Sequence, residues 1–240
     1  MPKYYHTHLF SKKIFWFWFQ SIENSPIIVQ ACLNSIKKNI KGHDIIIINK
    51  KNINHYVKFP SYILKKLQQK CFTLTHFSDL LRLELLIKYG GTWLDATVLL
   101  TNYNKLFFYK DLYFFQVFNS KKSIGSSWFL TSEKNSPVLR VTRDLLYEYW
   151  RKNSKLTNYF LFHYFFKISY DRYAKDYKNM TRFSNAPSHR LQQFLLKPFH
   201  FLRYKQIIDL ISIHKLSYKK KTNITNGLFY NYIIKEFAIN

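Results

Sequence analysis

The chain has 240 residues, with 38 Lys and Arg against 13 Asp and Glu, giving a formal net charge of +25 at pH 7. Hydrophobic residues make up 47% and aromatics 20%, which excludes a disordered polyelectrolyte and predicts one domain (residues 1–240) with a sizeable core. Two cysteines, Cys32 and Cys71, give no disulfide framework, so a reducing cytoplasm is the default setting.

The charge invites a nucleic-acid reading, but the basic residues are spread rather than clustered and no DNA- or RNA-binding motif is visible. No nucleic-acid partner is expected. Abundant Lys, Asn, Ile, Phe and Tyr with scarce Gly, Pro and Ala also fit A/T-rich coding, which accounts for part of the charge. The remaining basic surface suits phosphorylated donors and anionic lipids. No apolar run approaches the roughly 20 residues needed to cross a bilayer. The N-terminal MPKYYHTHLFSKKIFWFWFQ has no small-residue cleavage site, so it does not read as a signal peptide.

In chain order, residues 13–20 (KIFWFWFQ) predict a first strand with Trp16 and Trp18 on one face. Residues 26–38 carry helical spacing at Ile28, Cys32 and Ile36, and Gly42 follows as a stop. Residues 44–50 (DIIIINK) are almost continuously apolar and predict a central parallel strand buried on both faces. Strand, helix and strand in this order make a βαβ unit of a nucleotide-binding layer. No Gly-rich loop follows the first strand, which excludes a dinucleotide or P-loop fold. Residues 52–75 connect, with a short helix near 62–69.

Residues 76–101 (HFSDLLRLELLIKYGGTWLDATVLLT) concentrate what is rare elsewhere. Two of five glycines, Gly90 and Gly91, are adjacent, and Asp79, Glu84 and Asp95 fall close together in an acid-poor chain. The leucine-rich half predicts a helix buried on most of its circumference, capped at its start by Thr75 or Ser78. Gly90 supplies the positive φ that ends a helix, and Gly91 a sharp reversal into TWLDATVLL, read as one strand with Asp95 in its middle. Asp79 and Arg82 share a helix face. They read either as an intrahelical ion pair, with Asp95 a solvated strand residue, or as a site. The apolar setting favours the site, because charges on a buried helix need a partner or a ligand.

Residues 112–118 and 126–131 predict strands about a turn at Gly125, and 137–149 a helix opened by Pro137. Residues 153–177 are aromatic and basic, and read as a helical subdomain packing its rings or as an interfacial surface. Lys219 to Lys221 form a solvated basic run.

The pattern S-D-x-x-R, then L-L-x-x-Y-G-G-x-W-x-D-x-x-V, resembles the signature of D-x-D-containing, sugar-nucleotide-dependent glycosyltransferases related to glycosyltransferase family 32. With D-A-T in place of D-x-D it is most similar to the bacterial capsular polysaccharide synthesis proteins. Weaker echoes run to NAPSH (185–189) and ISIHKLSYK (211–219).

The resemblance implies a GT-A-like α/β domain with a central, mostly parallel sheet flanked by helices. Residues 13–131 would form the donor-binding core, and 137–240 a helical, aromatic-rich acceptor side with a closing tail. It implies transfer of a hexose, with retention, from a nucleotide-diphosphate sugar such as UDP-hexose to a capsular or other surface-glycan precursor, lipid-linked in one version. The setting implied is cytoplasmic, or peripheral on the inner face of the membrane.

The same resemblance gives donor contacts to Trp18, Ser78, Asp79, Arg82, Trp93, Asp95, Thr97, His214 and Lys215. Asp79, Arg82 and Asp95 are the catalytic set among them. Trp18 would stack on the base, Asp79 and Arg82 hold the sugar, and His214 and Lys215 meet the diphosphate. Asp95 would meet the ribose or the metal, and His214 would be a metal ligand or a donor, the metal being Mn²⁺ or Mg²⁺, which favour hard oxygen ligands. Thr97 stands where D-x-D has its second acid, so one anionic ligand is missing. Two other classes compete: a non-catalytic basic protein on nucleic acid or anionic membrane, and a degenerate transferase acting as an assembly partner. Donor hydrolysis separates them.

Overall fold

The computed structural model describes residues 10–118, 123–219 and 226–238. The N-terminal nine residues, and Lys220 and Lys221 of the basic run, lie outside these. Strand β1 (Lys13–Phe17) leads through α1 (Ile27–Asn39) to β2 (Asp44–Ile48), and α2 (Ile53–Tyr56) and α3 (Ser61–Gln68) fill the connection. The buried helix α4 (Leu74–Tyr89) is followed by β3 (Gly91–Leu94), β4 (Val98–Leu100), β5 (Leu112–Gln116) and β6 (Gly125–Ser132). Helices α5 (Pro137–Lys152), α6 (Leu161–Arg172), α7 (Arg190–Phe194) and α8 (Phe201–Leu210) come next, then β7 (Ile213–Lys215) and α9 (Phe229–Phe237).

Five strands form the central sheet in the order β2-β1-β3-β6-β5. β1 pairs parallel with both β2 and β3, β6 runs against β3, and β5 runs against β6. Four strands therefore point one way and β6 alone opposes them, which is the mostly parallel α/β sheet expected. Alternation in β1 sets up a core on each face. Ile14 and Trp16 pack with α1, β4, α8 and α9, while Phe15 and Phe17 pack with α4, α5 and α6. Each fully buried large side chain contributes roughly 1.5–3 kcal/mol, so the two clusters hold the three layers together.

Two strand readings change. β2 is an edge strand, paired with β1 only. Its isoleucine run is nevertheless two-sided, because Ile45 and Ile47 pack on one core and Ile46 and Ile48 on the other. TWLDATVLL is two strands, not one. The chain leaves the central sheet after Leu94, turns through Asp95–Thr97 with the Val98 N–H donating to the Asp95 carbonyl at 3.0 Å, and enters a second sheet in which β4 pairs with β7. Asp95 therefore sits at the mouth of the sheet rather than within a strand.

The glycine pair is sterically required. Gly90 and Gly91 have φ of 64° and 103°. A Cβ on Gly91 would lie 2.3 Å from the Lys13 carbonyl oxygen, and one on Gly90 2.9 Å from the Lys134 nitrogen. Only glycine lets α4 end and β3 pair with β1 within one step. The cap assignment fails, however. Helix α4 starts at Leu74, and Ser78 inside it turns its hydroxyl back to donate to the Thr75 carbonyl at 2.6 Å. Glu84 also leaves the group of candidate acids. It accepts from Tyr147 Oη at 2.8 Å and joins α4 to α5, because five residues of helix carry it off the Asp79 face.

Candidate functional site

A groove of about 740 Å³ opens where β1 and β3 end, and Trp18 and Asp95, the residues just beyond those strand ends, line it. Its centre is Arg82, only 2% exposed in α4. Its guanidinium lies between the Trp93 ring, 5.1 Å away, and the Phe162 ring, 5.4 Å away. One amino group donates to Asp79 Oδ1 one helical turn earlier, and the other to Asp95 Oδ1 at 3.0 Å. The Trp93 indole N–H donates to the same Asp95 oxygen at 2.8 Å. Trp93 is almost wholly buried, so it orients Asp95 rather than offering a face to a ligand.

The two carboxylates differ. Burial pushes Asp79 up to about 6, with Arg82 pulling only part of the way back. Burial raises Asp95 too, but Lys215, Arg82 and the Trp93 hydrogen bond together hold it well below the usual carboxylate range. Asp95 is thus a fixed anion between two cations, and Asp79 a carboxyl raised above its ordinary range.

Lys215 arrives from the far end of the chain. Its Nζ donates to Asp95 Oδ2 at 2.9 Å and to Thr97 Oγ1 at 2.6 Å. The backbone sets this up, since β7 pairs Lys215 with Val98 and the Leu216 N–H donates to the Thr97 carbonyl at 2.9 Å. The expected pairing of His214 and Lys215 at one site does not hold. Neighbours in a strand face opposite ways, and His214 is fully buried on the other side, its Nε2 3.3 Å from Thr101 Oγ1. Burial drives it down to about 3, so it is a neutral core imidazole outside the groove.

Trp16 and Trp18 divide as core and site. Trp16 is fully buried, whereas Trp18 is half-buried and lines the groove beside Tyr218 of the tail, with ring centroids 5.4 Å apart at 85°. Ser78 lines the groove as well. The structure therefore brings together Trp18, Ser78, Asp79, Arg82, Trp93, Asp95, Thr97 and Lys215, and leaves out His214.

Several lining residues were not singled out by the sequence. His163 of α6 lines the groove with Tyr159 and Phe160, and its buried Nδ1 has no hydrogen-bond partner among the described residues. Burial and the charge of Arg82 lower its pKa to about 4, so it is neutral. His189, the last residue of NAPSH, lines the groove beside Trp128 and Gln192 and is also lowered, by burial and by Lys215. The aromatic density of residues 153–177 signalled this wall without naming its polar member.

A divalent cation needs several hard oxygen ligands. Here both Asp95 oxygens are taken by cationic or indole donors, Asp79 is held by Arg82, and His214 faces away. Among the described residues no three His, Cys, Asp or Glu side chains converge as a metal site. As these side chains stand, the two carboxylates are paired with cations rather than with each other.

The family model for capsular polysaccharide synthesis proteins matches residues 2–233. No curated protein matches. Among solved structures, the chain is similar to the apo-form glycosyltransferase GlyE of Streptococcus pneumoniae TIGR4, at 9% identity and a TM-score of 0.50, covering 94% of this chain and 62% of that one. It is also similar to the PaToxG glycosyltransferase, at 16% identity and a TM-score of 0.48, covering 83% of this chain and 75% of that one.

Proposed function

The chain belongs to the capsular polysaccharide synthesis protein family and has a glycosyltransferase fold, and on that premise we propose that it moves a hexose from a nucleotide-diphosphate sugar, UDP-hexose, onto a surface-polysaccharide precursor. One observation carries the reading. Arg82 bridges Asp79 and Asp95 at the open ends of β1 and β3, where an α/β sheet binds its ligand.

The donor's base stacks on Trp18, its sugar hydroxyls meet Asp79, which Arg82 holds in place, and its diphosphate lies toward Lys215. In the transfer, the bond from the sugar C1 to the β-phosphate oxygen breaks and its electron pair stays on that oxygen. The acceptor hydroxyl oxygen bonds C1 and its proton passes to the departing phosphate. Fixed cations beside the diphosphate lower this barrier because its charge grows as the bond breaks. The outcome proposed is retention.

The acceptor approaches along the wall of Tyr159, Phe160 and His163. Tyr159 and Phe160 are 56% and 52% exposed, and aromatic faces of this kind stack on the apolar faces of sugar rings. No helix of the described residues is long and apolar enough to cross a membrane. Exposed Phe201 and Leu202 beside Arg203 and Lys205 on α8 support peripheral contact with an anionic lipid surface and a lipid-linked acceptor.

The test is a panel of UDP-, GDP- and CMP-sugars, scoring nucleotide release and the anomeric configuration of the product by NMR. Release from one UDP-hexose is expected, and no release from any donor would refute the reading.

A further inference from the structure

In a D-x-D site two acids two residues apart share a divalent cation. Here the first and third positions of the triplet are Asp95 and Thr97, and the group between them is the Lys215 ammonium, 2.9 Å from Asp95 Oδ2 and 2.6 Å from Thr97 Oγ1. Resting on the nucleotide-sugar reading above, we propose that Lys215 is a built-in replacement for that cation, so that diphosphate binding and transfer need no metal.

Three features carry this. Charge comes first: Asp79 and Asp95 supply two negative charges when both are ionised, and Arg82 and Lys215 two positive ones, so no anionic surplus remains to attract a dication. A dication beside either fixed cation is repelled by it twice as strongly as a unit charge at the same distance. Second, the ammonium is held in place. Its strand is zipped to β4, and the Thr97 carbonyl that accepts from Leu216 belongs to the residue whose hydroxyl accepts from Lys215. A charge fixed before the reaction needs no reorganisation during it. Third, Thr97 is the residue this arrangement requires. A hydroxyl accepts from the ammonium without adding charge, whereas a second acid there would leave room for a metal beside the lysine.

Calorimetry of UDP binding in EDTA and in millimolar Mn²⁺, on the wild type and on variants, tests the idea. The wild type is expected to bind UDP equally, within about twofold, in both conditions. Lys215→Gln keeps a side-chain donor, one bond shorter, but removes the charge, and is expected to weaken UDP by about tenfold in EDTA. The double variant Thr97→Asp/Lys215→Ala restores the two acids and removes the ammonium. It is expected to bind Mn²⁺, read without nucleotide or turnover as loss of the free-ion signal in electron paramagnetic resonance. Wild-type UDP affinity that falls tenfold in EDTA and returns with Mn²⁺ would overturn the proposal while leaving the nucleotide-sugar reading intact. No binding of UDP, GDP or CMP in any condition would sink that reading instead, and this one with it.

Discussion

An Arg82 amino group donates to Asp95 Oδ1 at 3.0 Å, joining the middle of a buried helix to the turn beyond the next strand. The bond depends on the planar fork of arginine, whose other arm holds Asp79. Arg82→Lys keeps the charge but offers one point in place of two. It is expected to lower kcat/KM with the sugar donor by about 100-fold, about 2.7 kcal/mol, while UDP alone still binds. Equal losses of UDP and UDP-sugar affinity would mark the pair as structural.

Asp95→Asn removes the anion between two cations. Arg82 is buried and loses a charged partner, while Asp95 and Lys215 are part-exposed, so thermal stability should fall along with activity by less than a fully buried pair would cost. Near-UV circular dichroism then separates a folded, inactive protein from an unfolded one. Activity within about tenfold of wild type, a barrier change of about 1.4 kcal/mol, would remove Asp95 from the centre of the mechanism.

The raised Asp79 has a signed consequence for pH. Its folded pKa of about 6 lies above the ordinary carboxyl value near 4, so between those values the folded state holds more protons than the unfolded state. This group therefore contributes stability that is full below pH 4 and is lost as pH rises through 6. Asp95 has the opposite sign, contributing stability above pH 4 that fades as pH falls further. Denaturation of wild type and Asp79→Asn from pH 4 to 7 isolates the first slope. The wild type should lose stability relative to the variant as pH rises, and parallel curves would show that Asp79 titrates normally.

Trp18→Ala should weaken UDP by roughly 1–3 kcal/mol, the range for a base on an aromatic platform, with little change in melting temperature. Trp16→Ala should instead cost about 3–5 kcal/mol of stability, since that ring is fully buried in the core. The reverse pattern would mean that the base stacks elsewhere.

The unit from α4 to Asp95 is legible in the sequence because its signals are local. A glycine pair, a helix rich in leucine and an i, i+3 charge pair all act within one turn or one strand. The break at Asp95–Thr97 is not legible, because Val98, Leu99 and Leu100 have the same β-branched and apolar character as the strand before them, and only β7 explains why they leave the sheet. Lys215 reaches Asp95 across 120 residues of chain, a distance no spacing rule covers. The separation of His214 from Lys215, by contrast, is legible, since adjacent strand residues face opposite ways. His214→Leu is accordingly expected to shift stability only and to leave UDP affinity, in EDTA or Mn²⁺, within about twofold of wild type.

The aromatic wall gives the last prediction. Tyr159 and Phe160 meet edge to face, with centroids 5.3 Å apart, and Phe160 leads to His163 at 5.8 Å. All three line the same groove as Asp95, but none hydrogen-bonds to Asp79, Asp95 or Lys215 among the described residues. The neutral His163 ring leaves Nδ1 without a partner, and burying such a group costs about 1–3 kcal/mol unless a ligand meets it. A turn of the ring would bring that nitrogen to the groove, where an acceptor hydroxyl would meet it. Phe160→Ala and His163→Ala should therefore raise the acceptor KM by about tenfold while leaving hydrolysis of the donor by water within about twofold of wild type. His163→Gln keeps a polar group at the wall and should recover part of the loss. Equal damage to hydrolysis and transfer would place the wall on the donor side, because an acceptor contact has no part in a reaction with water.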